Sequence, residues 1–231
     1  MISWWTRILD FISPRLCVVC GRRLTPTERT LCGVCLFHLP RTDYHRKPLD
    51  NPMAQLFWHL APVEKAAALF FFRPHSETAE LVYRLKYHNR PDMGEDLGRI
   101  MASEMQLSDF FADIDVLLPV PLARKRLRQR GYNQSHQLAL GISDVTRLPI
   151  VTKALRRKHF QQSQTVLNRL QRQDNVADTF ILADDRPLRG RHVLLIDDVC
   201  TTGATLIACA NALKAVDGIR ISVLTLSFTK D

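Results

Sequence analysis

The sequence lacks several features that would place it in a common protein class. It has no run of about 20 apolar residues, which a membrane helix needs. Residues 1–17 are apolar, but Arg7 and Asp10 interrupt them and no small-residue cleavage site follows, so we do not expect a signal peptide. Neither G-x-x-x-x-G-K-[ST] nor G-x-G-x-x-G occurs, which excludes a Walker loop and a dinucleotide fingerprint. We expect a cytoplasmic protein with no transmembrane segment.

Acidic residues are outnumbered by basic ones. The chain has 32 Lys and Arg against 23 Asp and Glu, a net charge of +9. Such an excess favours polyanionic partners, either phosphorylated substrates or nucleic acid. The length of 231 residues, of which 46% are hydrophobic, suits one α/β domain with a small appendage.

The most informative stretch is residues 193–206. It begins with the apolar run VLLI, which predicts a buried strand. Asp197 and Asp198 stand at the carboxyl end of that strand, and a turn rich in Thr and Gly follows. A helix is then predicted by apolar residues at spacings of i, i+3, i+4 and i+7, namely Leu206, Cys209, Ala210 and Leu213.

This order of elements has a chemical meaning. A helix start offers unpaired N–H groups and partial positive charge to a phosphate, and Gly203 allows close approach of the backbone. The predicted phosphate contacts are Thr201, Thr202, Gly203, Ala204 and Thr205. Two carboxylates would repel a phosphate, so we expect them to face ribose hydroxyls or a hydrated Mg²⁺. The alternative is a plain capped helix, which explains one Asp and one Thr but not the whole motif.

The stretch resembles the phosphoribosyl pyrophosphate (PRPP) binding loop of type I phosphoribosyltransferases. This resemblance implies a doubly wound, mostly parallel α/β sheet in which the acid pair lies at the ligand-binding edge. Strands alternating with helices favour the same architecture, with predicted strands at 66–72, 115–121 and 221–226. Helices are predicted from an N-cap at Ser76 up to Tyr87 and over residues 134–145. We expect this domain to span residues 63–231, after a proline-containing linker at 46–62.

Four of the six cysteines form two C-x-x-C pairs near the N-terminus, Cys17 with Cys20 and Cys32 with Cys35. Paired knuckles of this kind hold Zn²⁺ with four thiolates. Disulfides are the alternative, and they do not fit a chain without a secretory signal. We therefore expect a small zinc-ribbon-like element within residues 1–45, in which the four cysteines hold a structural metal. Its basic surface leaves two roles open, contact with nucleic acid and a purely structural one.

Two further segments are strongly basic. Residues 122–134 carry five positive charges within seven residues, of which Arg130 is the last. Arg130, Asn133 and Gln134 are the predicted pyrophosphate contacts. A DNA-facing patch and a solvated helix turn are the alternatives for this segment. Residues 156–180 could form a lid over the ligand, with Arg157, Gln164 and Arg169 reaching in.

Together these segments resemble the ComF family. Its members combine paired C-x-x-C knuckles, a PVP…RGxNQ segment, an R…Q…R…N segment and a DDVxTTGxT loop. The matching residues here are the four cysteines, Pro119 and Pro121 with 130–134, then Arg157, Gln164, Arg169 and Asn175, and finally 197–205. The resemblance implies a link to DNA uptake or to the use of external DNA as a nutrient, with single-stranded DNA or DNA-uptake proteins as partners.

Three functional hypotheses follow. The first is an enzyme that passes the phosphoribosyl group of Mg²⁺-bound PRPP to a nitrogen nucleophile, with Asp197, Asp198 and Arg130 as catalytic residues. The second is a scaffold that binds PRPP or a nucleotide without turnover. The third is a zinc-ribbon protein that binds nucleic acid.

Overall fold

The computed structural model describes residues 14–158 and 179–229. The described strands are β1 (Ala66–Phe72), β2 (Val116–Pro119), β3 (Leu155–Arg157), β4 (Phe180–Leu182), β5 (His192–Cys200) and β6 (Arg220–Thr229). The described α-helices are α1 (Gly33–His38), α2 (Pro52–Gln55), α3 (Glu77–Tyr87), α4 (Pro91–Met105), α5 (Arg124–Arg130), α6 (Gln134–Thr146) and α7 (Ala204–Leu213). Short 3-10 helices lie at Tyr44–Arg46 and Gln106–Ser108.

The central sheet has four parallel strands in the order β1-β6-β5-β2. Its strands are buried on both faces, which explains why they read as continuous apolar runs rather than as alternating patterns. Helices connect the strands, so the predicted doubly wound parallel sheet is confirmed. The carboxyl ends of all four strands lie at one edge, where ligands bind in such folds.

Strand β5 is longer than the sequence pattern predicts. The run 193–196 is its centre, but pairing with β6 continues as far as Cys200, which faces Phe228. Asp197 and Asp198 therefore lie inside the strand rather than after it. Strand β6 allows this extension because Asp197 is opposite Thr225 and Val199 is opposite Ser227, two buried polar residues that suit the more polar end of the sheet.

Local signals account for the helices around the edge of the sheet. The predicted N-cap of α3 is confirmed, since Ser76 Oγ accepts a hydrogen bond from the N–H of Ala79 at 3.4 Å. Helix α3 ends at Tyr87, and Pro91 then begins α4 as its first residue. The predicted helix from residue 134 is also confirmed, as α6, and that from residue 206 lies within α7.

Helices α4 and α6 cross at very short range because both carry glycine at the crossing. A Cβ atom on Gly98 would lie 2.1 Å from the carbonyl oxygen of Leu138, and one on Gly141 would lie 1.9 Å from that of Glu95. Neither position has room for a larger residue. This close packing anchors α6, whose first turn reaches the carboxyl edge of the sheet.

The N-terminal element packs onto the same helix α4. Thr30 Oγ1 donates to Asp96 Oδ2 at 2.9 Å, and Arg41 Nε lies 3.2 Å from Glu104 Oε1. The segment predicted as a linker also contributes to the core, since Phe57 is buried under the loop of Gly203. The division into 1–45, 46–62 and 63–231 stays a prediction.

Strands β3 and β4 form a small antiparallel ribbon, with Leu155 opposite Leu182. They lie at the two ends of the segment expected to form a lid at 156–180, and hydrophobic Leu155 and Phe180 both enter the core. Gln164, Arg169 and the rest of the expected lid at 159–178 lie outside the described residues. In the parts of the chain that the structure describes, no helix combines the length and apolar character required to cross a membrane.

Candidate functional site

A cavity of about 390 Å³ opens at the carboxyl edge of the sheet. It is bounded by the end of β5, the first turn of α6, the last turn of α3 and helix α5. Its polar lining consists of Lys86, Arg126, Arg130, Gln134, Ser135, Arg157, Asp197, Asp198, Thr201 and Thr205. Cations and carboxylates thus share one small space, as a ligand with both phosphate and hydroxyl groups requires.

The two carboxylates at the centre of this cavity are held in different ways. Asp197 Oδ1 accepts hydrogen bonds from Ser135 Oγ and from the N–H of Asp198, both at 2.9 Å. Asp198 Oδ2 lies 3.2 Å from Lys86 Nζ. Burial, and then the neighbouring charge of Asp198, raise the pKa of Asp197 to about 7, although Ser135 and Lys86 act in the opposite direction. Asp197 therefore changes charge near neutral pH.

A backbone cradle follows the acid pair. Residues 199–206 enclose a hollow of about 50 Å³ at the start of α7. Gly203 precedes the helix with a φ of +74°, a conformation that other residues rarely adopt, and it provides no side-chain cap. The first-turn N–H groups are consequently left for an anion.

The opposite wall of the cavity is basic. Arg130 Nη1 donates to Gln134 Oε1 at 3.0 Å, and its guanidinium lies 5.3 Å from the ring centre of Tyr87. Gln134 is buried, and within the described residues its Nε2 atom has no hydrogen-bond partner. Burial and then the charge of Arg126 lower the pKa of Arg157. This wall offers donors and unneutralised positive charge to a ligand.

The four N-terminal cysteines form a separate cluster. All four Sγ atoms lie within 4.8 Å of one another, and those of Cys20 and Cys32 are 3.8 Å apart. Four sulfurs at tetrahedral Zn–S distances would be separated by about 3.8 Å. The N–H of Cys32 also donates to Cys17 Sγ at 3.4 Å, and although burial opposes it, such backbone bonds lower the pKa of Cys17 to about 7. The cluster could thus hold a metal such as zinc.

Comparison with known proteins decides the family. The phosphoribosyl transferase domain model matches residues 94–229. DNA utilization protein YhgH of Escherichia coli (strain K12) is 28% identical over 217 residues, which cover 93% of this chain and 90% of that protein. Competence protein F of Haemophilus influenzae is 28% identical over 151 residues, or 64% of this chain and 66% of that protein. The chain is a ComF family member with a phosphoribosyl transferase domain.

Among solved structures, the chain is similar to glutamine PRPP amidotransferase from B. subtilis complexed with ADP and GMP. It is 17% identical, with a TM-score of 0.40, over 62% of this chain and 30% of that one. The matched segment therefore covers less than a third of that enzyme.

The structure of this ComF protein brings most of the predicted site residues together. Lining the cavity itself are Arg130, Gln134, Arg157, Asp197, Asp198, Thr201 and Thr205. Lining the adjoining cradle are Thr202, Gly203 and Ala204. Asn133 does not line the cavity. Its Nδ2 donates to the carbonyl of Val120 at 2.9 Å and its Oδ1 accepts from the N–H of Ser135 at 3.1 Å, so it orients the first turn of α6.

Three of the polar lining residues, Lys86, Arg126 and Ser135, are not among the sequence-predicted site residues. Arg126 belongs to the basic segment 122–134, whose charge density the sequence already shows. Ser135 directly follows the predicted Asn133 and Gln134. It lies in the first turn of a capped helix next to predicted contacts, and this position could have identified it from the sequence. Lys86 belongs to α3, which precedes the matched phosphoribosyl transferase segment. It looks like an ordinary basic residue of a helix's last turn, and no local pattern distinguishes it.

Proposed function

We propose that this ComF protein binds Mg²⁺-PRPP in the 390 Å³ cavity and transfers its phosphoribosyl group to a nitrogen nucleophile, with release of pyrophosphate. The observation that carries the proposal is the composition of that cavity. An acid pair, an uncapped helix start and a basic wall with an unsatisfied amide surround a single space. PRPP has a ribose diol, a 5-phosphate and a pyrophosphate, which match these three parts in turn.

The acid pair would hold the ribose. Its hydroxyl groups would donate hydrogen bonds to Asp197 and Asp198, and both carboxylates would favour positive charge developing on the sugar as the bond to pyrophosphate breaks. The 5-phosphate would lie in the cradle, against the N–H groups of α7 and the hydroxyls of Thr201 and Thr205. The N-cap Gly203 lets that phosphate approach the backbone closely.

The leaving pyrophosphate would lie against the basic wall. Arg130 and Arg157 line it from two different elements, and the free Nε2 of Gln134 donates a further hydrogen bond. Bound Mg²⁺ supplies additional neutralisation of the pyrophosphate charge. Carboxylate oxygens of the acid pair, the hard ligands that Mg²⁺ prefers, fit such an ion.

The N-terminal cluster would hold a structural Zn²⁺ with Cys17, Cys20, Cys32 and Cys35 as ligands. Support comes from the distances between the sulfur atoms and from the small core around them. An element of this size gains much of its folding free energy from a bound metal.

The biological role we propose is the use of external DNA. This proposal is supported by the names of two relatives, one a DNA utilization protein and the other a competence protein. The net charge of +9 is compatible with single-stranded DNA or with acidic proteins of an uptake system as partners. We place this activity in the cytoplasm.

Calorimetric titration of the zinc-loaded protein with PRPP and Mg²⁺ tests the binding site. The wild type should bind, and the Asp197→Asn/Asp198→Asn double variant should lose about tenfold or more in affinity, because both ribose contacts are weakened. A matched control is Asp184→Asn/Asp185→Asn, an adjacent acid pair outside the cavity, which should bind as the wild type does. Equal PRPP affinity in all three proteins would contradict the proposed binding site.

Binding without turnover is the second candidate, and one observation favours it. The Lys86 ammonium neutralises Asp198, a carboxylate that catalysis needs for the ribose. Release of pyrophosphate from PRPP in the presence of nucleobases distinguishes the two. Turnover supports the enzyme, whereas tight PRPP binding with no pyrophosphate release supports a sensor or scaffold.

A further inference from the structure

A second cavity, of about 870 Å³, adjoins the first and shares Lys86, Arg126 and Arg130 with it. It lies between the end of α3 and helix α5. Its described lining consists of Lys86, Tyr87, Asn89, Arg126, Arg128, Gln129, Arg130 and Gly131. Four of these are cations and none is a carboxylate, so an anion would meet attraction from several sides.

Helix α5 concentrates this charge without internal compensation. Its sequence RKRLRQR contains no acidic residue, and in the described parts of the chain neither Arg126 nor Arg128 forms an ion pair. Arg124 and Arg128 are one helical turn apart, as are Arg126 and Arg130, so like charges repel along the helix. A bound phosphate would relieve that repulsion.

An exposed aromatic pair stands at the same place. The rings of Tyr83 and Tyr87 lie with their centres 5.0 Å apart on α3, and 52% and 61% of these residues are exposed. Tyr87 lines the cavity, with the Arg130 guanidinium over its ring. Exposed aromatic rings next to arginine side chains are the usual platform on which proteins stack nucleobases.

We propose that this second cavity binds a nucleoside phosphate, with the phosphate near Arg126 and Arg128 and the base against Tyr87. The ligand is either a free nucleotide or the 5′-phosphorylated end of a single strand, since both present the same chemistry. The site adjoins the one assigned to PRPP and shares Lys86, Arg126 and Arg130 with it, but Arg128 and Tyr87 line only the second cavity.

The test uses the full zinc-loaded chain and calorimetry with adenosine monophosphate, with inorganic phosphate and with a 5′-phosphorylated ten-residue oligothymidylate. The variants are Arg128→Gln and, as a matched control, Arg124→Gln. Arg124 belongs to the same exposed helix and carries the same charge, but it lines neither cavity. We expect Arg128→Gln to weaken nucleotide binding at least about fivefold, because it removes one charged phosphate contact, and Arg124→Gln to change it less than about twofold.

Comparing the affinities of the three probes distinguishes the possible ligands of the second cavity. Affinity for the oligonucleotide well above that for the mononucleotide identifies a strand end, and equal affinity identifies a free nucleotide. Tyr87→Leu should weaken the binding of adenosine monophosphate and leave that of inorganic phosphate unchanged. The proposal is overturned if no phosphate-bearing probe binds, or if Arg128→Gln binds nucleotide as the wild type does.

Titration with Mg²⁺-PRPP keeps the two proposals distinguishable. Arg128→Gln should leave PRPP affinity within about twofold of the wild type, because Arg128 is outside the first cavity. Loss of nucleotide binding with PRPP binding retained supports the second site. Nucleotide binding without PRPP binding would remove the proposed function and leave the second site standing.

Discussion

Lys86 Nζ lies 3.2 Å from Asp198 Oδ2. This ion pair joins the last turn of α3, which precedes the matched phosphoribosyl transferase segment, to the acid pair of β5 inside it. A residue outside the matched segment thus contacts the acid pair directly, and its charge is one of the influences that lower the pKa of Asp197. Both side chains are largely shielded from water, so the pair is stronger than an exposed one.

Replacing Lys86 with Met should shift the pH dependence of PRPP binding. The Lys86 charge helps to lower the pKa of Asp197, so its removal raises that pKa further and leaves the acid pair less ionised at neutral pH. We expect Mg²⁺-PRPP affinity at pH 7 to fall by about fivefold or more, and to recover in part at pH 8.5. Calorimetry across this range measures the shift. Lys86→Arg should retain the wild-type profile, and exposed Lys214→Met is the control.

Asp197→Asn should stabilise the protein while weakening the site. Because the pKa of Asp197 is raised to about 7 in the folded state, folding favours its protonated form. Its contribution to stability is therefore lost as the pH rises from about 4 to about 7, and remains lost above that range. We expect the free energy of unfolding to rise by about 1–2 kcal/mol at pH 8 and by less at pH 5.

Denaturant unfolding at the two pH values measures this difference. Asp198→Asn is the informative comparison, because it leaves Lys86 without its partner and should not stabilise the protein. An Asp197→Asn variant less stable than the wild type at pH 8 would contradict the assignment of the raised pKa to that residue.

Gly203→Ala should reduce both stability and phosphate binding. The residue has a φ of +74°, whereas an added Cβ would meet only ordinary contacts at 3.6 Å, so the cost is backbone strain of about 1 kcal/mol. The strain would also distort the cradle and weaken PRPP binding. Gly190→Ala is a matched control, with a φ of +63° and open space around its Cβ. Gly190→Ala should lose similar stability but no affinity for PRPP. Equal losses of PRPP affinity in the two variants would show that the cradle is not part of the binding site.

Metal removal should unfold the N-terminal element first. We expect the purified protein to contain about one Zn²⁺ per chain by elemental analysis, and a chelator to lower the melting temperature by several degrees. Cys17→Ser should reduce the zinc content, whereas Cys209→Ala, in the core of α7, should leave it unchanged. Full zinc content in the Cys17→Ser protein would exclude that residue as a ligand.

Much of the fold follows from local patterns. The strand Ala66–Phe72, the cap of α3 and the start of α6 are found where the sequence predicts them, because each depends on neighbouring residues. The end of β5 is not predictable in this way. Its extension to Cys200 depends on pairing with β6, whose residues are more than twenty positions further along the chain.

The residues of the candidate site likewise fall into two groups, those predictable from local sequence and those that depend on long-range contacts. Local sequence patterns suffice to predict the order of strand, acid pair, glycine and helix start, and the grouping of the cysteines, because short-range geometry dictates what such patterns can form. Three contacts are found only in the folded chain: Ser135 with Asp197 across 62 residues, Lys86 with Asp198, and α5 with Tyr87. Those contacts arise where the glycine crossing of α4 and α6 and the sheet order bring distant segments together, and no local free-energy term encodes them.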